Sequence, residues 1–138
     1  MKNILRSFVL IILSLLSSYS FGQKKLNHAR SKNTQIGQKL YADHCLSCHQ
    51  EDGGGVPPMN PPLNTSIVNG EKEALIKIVL KGMMGKVKID GKFYNNVMAP
   101  HAYLKDEEIA SILTYVRTSF GNKSSSVSPE EVKTARLK

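Results

Sequence analysis

The sequence predicts an all-α fold, three to five helices joined by irregular Gly/Pro loops, and three observations predict it. Apolar residues recur at helical spacing in the segments around 34–45, 71–81 and 106–120. Between the first two lie Asp52-Gly53-Gly54-Gly55-Val56-Pro57-Pro58 and Asn60-Pro61-Pro62-Leu63, too rich in glycine and proline for helix or central strand. The third observation is Cys45-Leu46-Ser47-Cys48-His49, which uses both cysteines of the chain. A C-x-x-C-H is the attachment pattern for a c-type haem. Two thiols add to two vinyl groups on one porphyrin edge, and the histidine beside the second thiol lies under the iron. The helices are therefore expected to wrap around one covalently attached haem, which supplies much of the core of so small a domain.

Other readings of the pentapeptide lack support. A zinc site needs a second pair of ligands at metal spacing, and with no further cysteine only scattered histidines remain. A redox-active C-x-x-C belongs at a helix start within a βαβ pattern, and no such strand pattern is present. A plain disulfide would leave His49 without a role.

Taken in order, residues 1–22 read as an export signal: Lys2 and Arg6 at the front, an apolar run from Phe8 to Leu16, and small residues at Ser20-Phe21-Gly22 before Gln23. The run is shorter than the roughly 20 residues of a spanning helix. Cleavage is the expectation, with an uncleaved anchor as the alternative; no cysteine comes just after the run to carry a lipid. Taking residues 1–22 off the 138 leaves 116, enough for one domain. Residues 23–33 are polar and aperiodic, a mobile leader. The domain is expected over 34–122, with Thr34 as N-cap and Ile36, Leu40 and Tyr41 on one helical face. Gly37 inside that helix costs about 1 kcal/mol against alanine, which implies close approach by another element.

The Gly/Pro loop is expected to need an outside surface, such as a haem face, to hold its shape. Glu71 to Lys81 is helical through Ala74, Leu75, Ile78 and Val79, closed by Gly82. Val87 to Phe93 alternates around Asp90-Gly91, a short hairpin at most. Asp106 to Phe120 is the strongest helix, with a stripe of Ile109, Ile112, Leu113, Val116 and Phe120, acids in its first turn and Gly121 at its end. Residues 123–138 read as a Ser-rich linker and a short tail, disordered or forming a turn or two.

A six-coordinate iron needs a distal donor. Met59, Met83, Met84, Met98, His28, His44 and His101 are the candidates. Met59 lies close behind His49, His44 abuts Cys45 on the proximal side, and Met83 and Met84 are expected to fill the core. Met98 stands apart in the irregular segment Tyr94-Asn95-Asn96-Val97-Met98-Ala99-Pro100-His101, where Pro100 holds Ala99 extended. His101, Met83, Met84 or an open position are the alternatives.

The order Gly37-x-x-x-Tyr41, Cys45-x-x-Cys48-His49, Gly/Pro loop, methionine segment and terminal helix with Tyr115 resembles the class I c-type cytochromes, in particular bacterial single-haem domains. The resemblance covers about Thr34 to Asn122. It implies that the first and last helices cross with Gly37 admitting Tyr115, and that Pro61 offers its carbonyl to the second ring nitrogen of His49. It also implies that Leu63, Tyr94 and Ile112 lie against the haem. Two positions depart from the family pattern. Ala99 separates Met98 from its proline, and Lys105 stands where a Ser or Thr would complete a capping box with Glu108, so that Asp106 is expected to cap.

Together these readings predict a periplasmic electron carrier with one haem c, thioether-linked through Cys45 and Cys48 and axially ligated by His49 and Met98. A thioether ligand favours ferrous iron, and a filled sixth position leaves no room for substrate. A haem enzyme or gas sensor would open the Met98 bond and need an acid-base group, for which His101 is the nearby candidate. A dedicated electron-entry subunit of a larger complex would use the tail to dock. The chain has 19 basic and 11 acidic residues; without Lys2 and Arg6 this is 17 against 11, or +6. Such a surface can steer the protein toward redox donors and acceptors with acidic docking faces, and the alternative reading of Lys24, Lys25, Lys86, Lys88 and Lys92 is a face that serves solubility alone. Export argues against nucleic acid, and membrane contact is expected only from an uncleaved signal.

Overall fold

The computed structural model describes residues 33–138, which form one compact unit. The expected signal at 1–22, nearly all of the leader and His28 lie outside these residues. Within them helix α1 covers 33–44; α2 is Leu46–His49, α3 Ser66–Asn69 and α4 Lys72–Lys81. A hairpin of β1, Val87–Ile89, and β2, Lys92–Tyr94, precedes α5, Asp106–Thr118, and α6, Pro129–Arg136. Among the described residues no helix is long and apolar enough to cross a membrane.

Asn33 and Thr34 are already helical, so Thr34 lies inside α1 and not at the cap position expected for it. Gly37 sits against α5: a Cβ added there would strike the Ser111 carbonyl oxygen and stand 2.8 Å from Ser111 C and 2.9 Å from Tyr115 Cβ. This is the helix contact that a glycine with helical backbone but no side chain permits. Just beyond it, Tyr41, Tyr115 and Phe120 form a three-ring cluster with centroids 5.4–5.5 Å apart. The Tyr41 hydroxyl donates to the Gln50 carbonyl at 2.5 Å, which ties α1 to the chain leaving α2.

Helix α4 buries Leu75, Ile76, Val79 and Leu80, while Ala74 is exposed. The buried face is wider than the expected stripe because α6 packs on the far side of α4 as well as on α5. The same covering explains α5, where Thr114 and Arg117 are buried beside the apolar stripe. Helix α5 ends at Thr118, two residues early: Ser119 is extended and Phe120 has φ 56°. That turn swings the Phe120 ring onto Gly53, leaving no room there for a Cβ. Lys105 occupies the N-cap position of α5 in place of Asp106. Its backbone N–H donates to Glu108 Oε2 at 2.8 Å, half of a capping box, since an ammonium side chain has no acceptor to complete it.

Residues 129–138, expected as a loose tail, are packed. Val132 and Ala135 are buried, and Ser128 caps α6 by accepting from the Glu131 N–H. The link at 123–128 is fixed by Arg117, whose guanidinium donates to the carbonyls of Ser125 at 2.8 Å, Val68 at 2.5 Å and Gly70 at 3.1 Å. Arg136 closes the end of α6 with bonds to Asp106, Ala102 and Leu104. A short polar helix of this kind draws its stability from docking and capping, which apolar periodicity does not report.

Candidate haem site

The site begins at the end of α1. Cys45 breaks the helix for one residue, and α2 then carries Cys48 and His49 on a single turn. Cys48 is exposed and Cys45 half-buried. Burial pushes the Cys45 thiol up to about 11, so it is protonated at neutral pH, and the nearby Cys48 sulfur acts in the same direction.

His49 Nδ1 lies 3.1 Å from the Pro61 carbonyl oxygen, twelve residues on, which is the contact implied by the resemblance. A carbonyl only accepts, so Nδ1 carries the proton and donates, and the other ring nitrogen keeps its lone pair. Burial holds the imidazole below its usual value, the Pro61 contact opposes that shift, and His101 adds to it.

The loop that brings Pro61 into place is held largely by its own backbone. Gly55 N–H donates to the His49 carbonyl at 3.0 Å, Val56 and Asn60 bond reciprocally at 3.0 and 2.9 Å, and Leu63 N–H reaches the Gly53 carbonyl at 2.8 Å. Gly55, with φ 67°, turns where a Cβ would stand 2.5 Å from the Asn60 oxygen. The Asn122 amide anchors the end of the loop by donating to the Leu63 and Val116 carbonyls, each at 2.8 Å. Asn122 and Asn96 thus hold the loop from outside, alongside its own backbone bonds.

Facing this wall is the methionine segment. The hairpin turns at Asp90 and Gly91, both at positive φ (47° and 82°), the two-residue geometry that Asp-Gly favours. Ser66 donates to the Asp90 carboxylate from its N–H and its hydroxyl, pinning the hairpin to α3. The chain then runs through Asn96, whose side chain bonds Asn60 at 2.8 Å, to Met98.

Between the two walls lies one cleft with two lobes. The outer lobe is lined by His44, Cys48, Met59, Tyr94 and His101 among others. The inner lobe is apolar, lined by Leu63, Leu75, Val79, Ile89, Ile112 and Val116 among others. Cys45, His49, Pro61, Met83 and Met98 line both lobes, so the two adjoin. Of the residues singled out in the sequence, Cys45, His49, Pro61 and Met98 border both lobes, Cys48 and Tyr94 the outer one, and Leu63 and Ile112 the inner one.

Met83 and Met84 depart from the expectation that they fill the core: Met84 is 82% exposed, and Met83 lines the cleft. His44 faces the mouth beside His101, ring centroids 6.5 Å apart, and the Tyr103 hydroxyl lies 3.4 Å from His44 Nδ1. His101 Nδ1 is buried without a hydrogen-bond partner among the described residues. The inner lining from α3, α4 and β1 is not legible in the sequence, because helical apolar residues look the same whether they face a core or a cofactor.

The donor set fits a haem. Two thiols three residues apart border the cleft, a neutral imidazole has Nδ1 committed to a carbonyl, a thioether borders the same cleft, and the inner walls are apolar. No group of three or more His, Cys, Asp and Glu side chains able to hold a bare metal ion comes together among the described residues.

Comparison with known proteins agrees. Residues 34–120 match the family described as "Cytochrome c". The chain is 40% identical over 112 residues to "Cytochrome c-552" of Thermus thermophilus, covering 74% of this chain and 85% of that protein. It is 31% identical over 113 residues to "Alcohol dehydrogenase (quinone), cytochrome c subunit" of Gluconacetobacter polyoxogenes, covering 77% of this chain but 24% of that one. To "Fructose dehydrogenase cytochrome subunit" of Gluconobacter japonicus it is 33% identical over 128 residues, 87% of this chain and 26% of that protein. With fold, cleft and similarity in accord, the chain belongs to the cytochrome c family of haem-bearing electron carriers.

Proposed function

We propose that this protein carries one electron at a time between redox proteins outside the cytoplasm. A haem c is held through thioether links at Cys45 and Cys48, with His49 and Met98 as axial ligands. The observation that carries the reading is that Cys45, His49 and Met98 together line both of two adjoining lobes, with Cys48 lining the outer one. When bound, the haem iron supplies a one-electron couple, and a His/Met pair raises its potential.

The chain's own residues do the rest. Pro61 fixes the tautomer and orientation of His49. The backbone of Met98 is locked to that of Met83 by two hydrogen bonds, at 3.0 and 2.9 Å, so the thioether arrives on a rigid segment. Leu63, Val79, Ile112 and Val116 keep water from the inner lobe. A rigid, dry site changes little between oxidation states, which is what fast electron exchange requires.

Exchange takes place near Cys48, the exposed edge of the site. Partners present acidic faces there. The hairpin carries Lys88 and Lys92, with Lys86 just before it placing Nζ 4.3 Å from the centroid of the half-exposed Phe93 ring, while the hairpin's one acid, Asp90, is engaged by Ser66. Similarity to cytochrome subunits of dehydrogenases supports a second reading, in which the donor is a dehydrogenase that binds this chain as its electron outlet. Residues 1–22 direct export and are removed before Gln23, which the mass of the mature protein tests.

The carrier reading is tested by exposing purified ferrous holoprotein to carbon monoxide and ferric holoprotein to peroxide. The expected result is no carbon monoxide adduct on the timescale of electron exchange and no turnover of peroxide. Prompt adduct formation, or peroxide consumption at an enzymic rate, would replace the carrier by a haem enzyme or sensor.

A further inference from the structure

Met83 and Met98 are directly opposite one another in an isolated antiparallel bridge and exchange both backbone hydrogen bonds. Residues paired in this way have Cα atoms about 5.5 Å apart and project their side chains to the same face. Both therefore line the outer and the inner lobe of the cleft. Their register is fixed from both sides. Gly82, at φ 72°, closes α4 where a Cβ would strike the Met98 carbonyl oxygen and stand 3.0 Å from Pro100 N. The His101 N–H donates to the Val79 carbonyl at 2.9 Å. Met83 is not a core filler: Met98 packs on the buried cluster, whereas Met83 is not among the half-buried residues that do.

The geometry points to Met83 as a reserve axial donor, a second thioether that takes the sixth position on the iron when Met98 leaves it. The inference rests on the His49/Met98 pair proposed above. The exchange breaks one sulfur-to-iron bond and forms another, with no electron or proton transferred. One neutral thioether replaces another, so donor softness and charge at the iron are kept. A protein with this device stays six-coordinate, and closed to small ligands, after damage to Met98. Three torsions in the Met83 side chain give it the adaptability such a move needs.

The test compares ferric holoprotein of the wild type, Met83→Leu, Met98→Leu and the double variant by the weak far-red band of a sulfur-to-iron bond, and by cyanide binding. Leucine keeps the volume, and Met98→Ala serves as a second variant if Met98→Leu does not accumulate. The band is expected in the wild type, in Met83→Leu and in Met98→Leu; only the double variant loses it and binds cyanide promptly. Loss of the band in Met98→Leu to the level of the double variant overturns the reserve role and leaves the axial pair standing. Loss in Met83→Leu alone overturns both, since Met83 would then be the resident ligand.

Discussion

Replacing Gly37 by alanine tests the crossing of α1 and α5, on which the placement of Cys45 to His49 depends. In an isolated helix the change would stabilise by about 1 kcal/mol. Here the new methyl meets the Ser111 carbonyl oxygen and stands 2.8 and 2.9 Å from two further atoms, two of the three being backbone that cannot swing aside. The helices must separate, which costs about 3 kcal/mol, the upper end of ordinary overpacking. The net loss is about 2 kcal/mol, or roughly 10 °C in melting temperature for a domain of this size. Thermal unfolding of the holoprotein by circular dichroism measures it, with the near-ultraviolet signal reporting the Tyr41, Tyr115 and Phe120 rings. Gly85→Ala is the control: nothing lies within 4 Å of its Cβ, but φ is 80°, so it loses about 1 kcal/mol to backbone strain and leaves the rings undisturbed. A Gly37→Ala protein as stable as the wild type would refute the close approach.

Other contacts give three further expected outcomes. Arg117→Leu strips three carbonyls of their donor in a nearly sealed site and should lower stability by about 3 kcal/mol in urea unfolding, with Arg117→Lys recovering only part. Val132→Ala removes two methyl groups from a fully buried position and should cost about 2 kcal/mol, and Ser128→Ala about 1 kcal/mol; no change in either would mean α6 is not docked. Hydrogen bonds from Lys77 and Lys138 hold the Glu73 carboxyl down to about 2, so the tie between α4 and the chain end is present above pH ~4.5 and is lost as pH falls through about 2. A carboxyl NMR titration should find that low midpoint and see it rise in 1 M salt, because these groups are solvent-exposed and screened.

The sequence is most informative where chemistry or steric need restricts residue type. The pentapeptide can serve few purposes, Gly37 sits inside a helix where only a close neighbour would justify it, and Asp90-Gly91 fits a two-residue turn. Met98 stands out in the sequence because it lies in an irregular segment before a strong helix, outside the periodic apolar stripes. Helix α6 is hard to see because its residues are mostly polar and only two of them, Val132 and Ala135, are buried. The signal that reveals it is Ser128-Pro129-Glu130-Glu131, a capping box with proline at the first helical position. Without α6 the sequence gives no reason for Ile76 to be buried, and Arg117 takes one of its three acceptors, the Ser125 carbonyl, from the segment that leads into α6. Met83 reads as a core residue because its place depends on pairing with a residue fifteen positions away, and local sequence carries no trace of that pairing.

A closed six-coordinate haem that passes one electron at a time is tested most directly by a spectroelectrochemical titration of the purified wild-type holoprotein. A single reversible one-electron wave is expected, with the far-red sulfur-to-iron band present in the ferric form and bleaching in step with reduction. A ferric spectrum of open, high-spin iron without that band, or a wave that departs from one electron, would contradict the closed site.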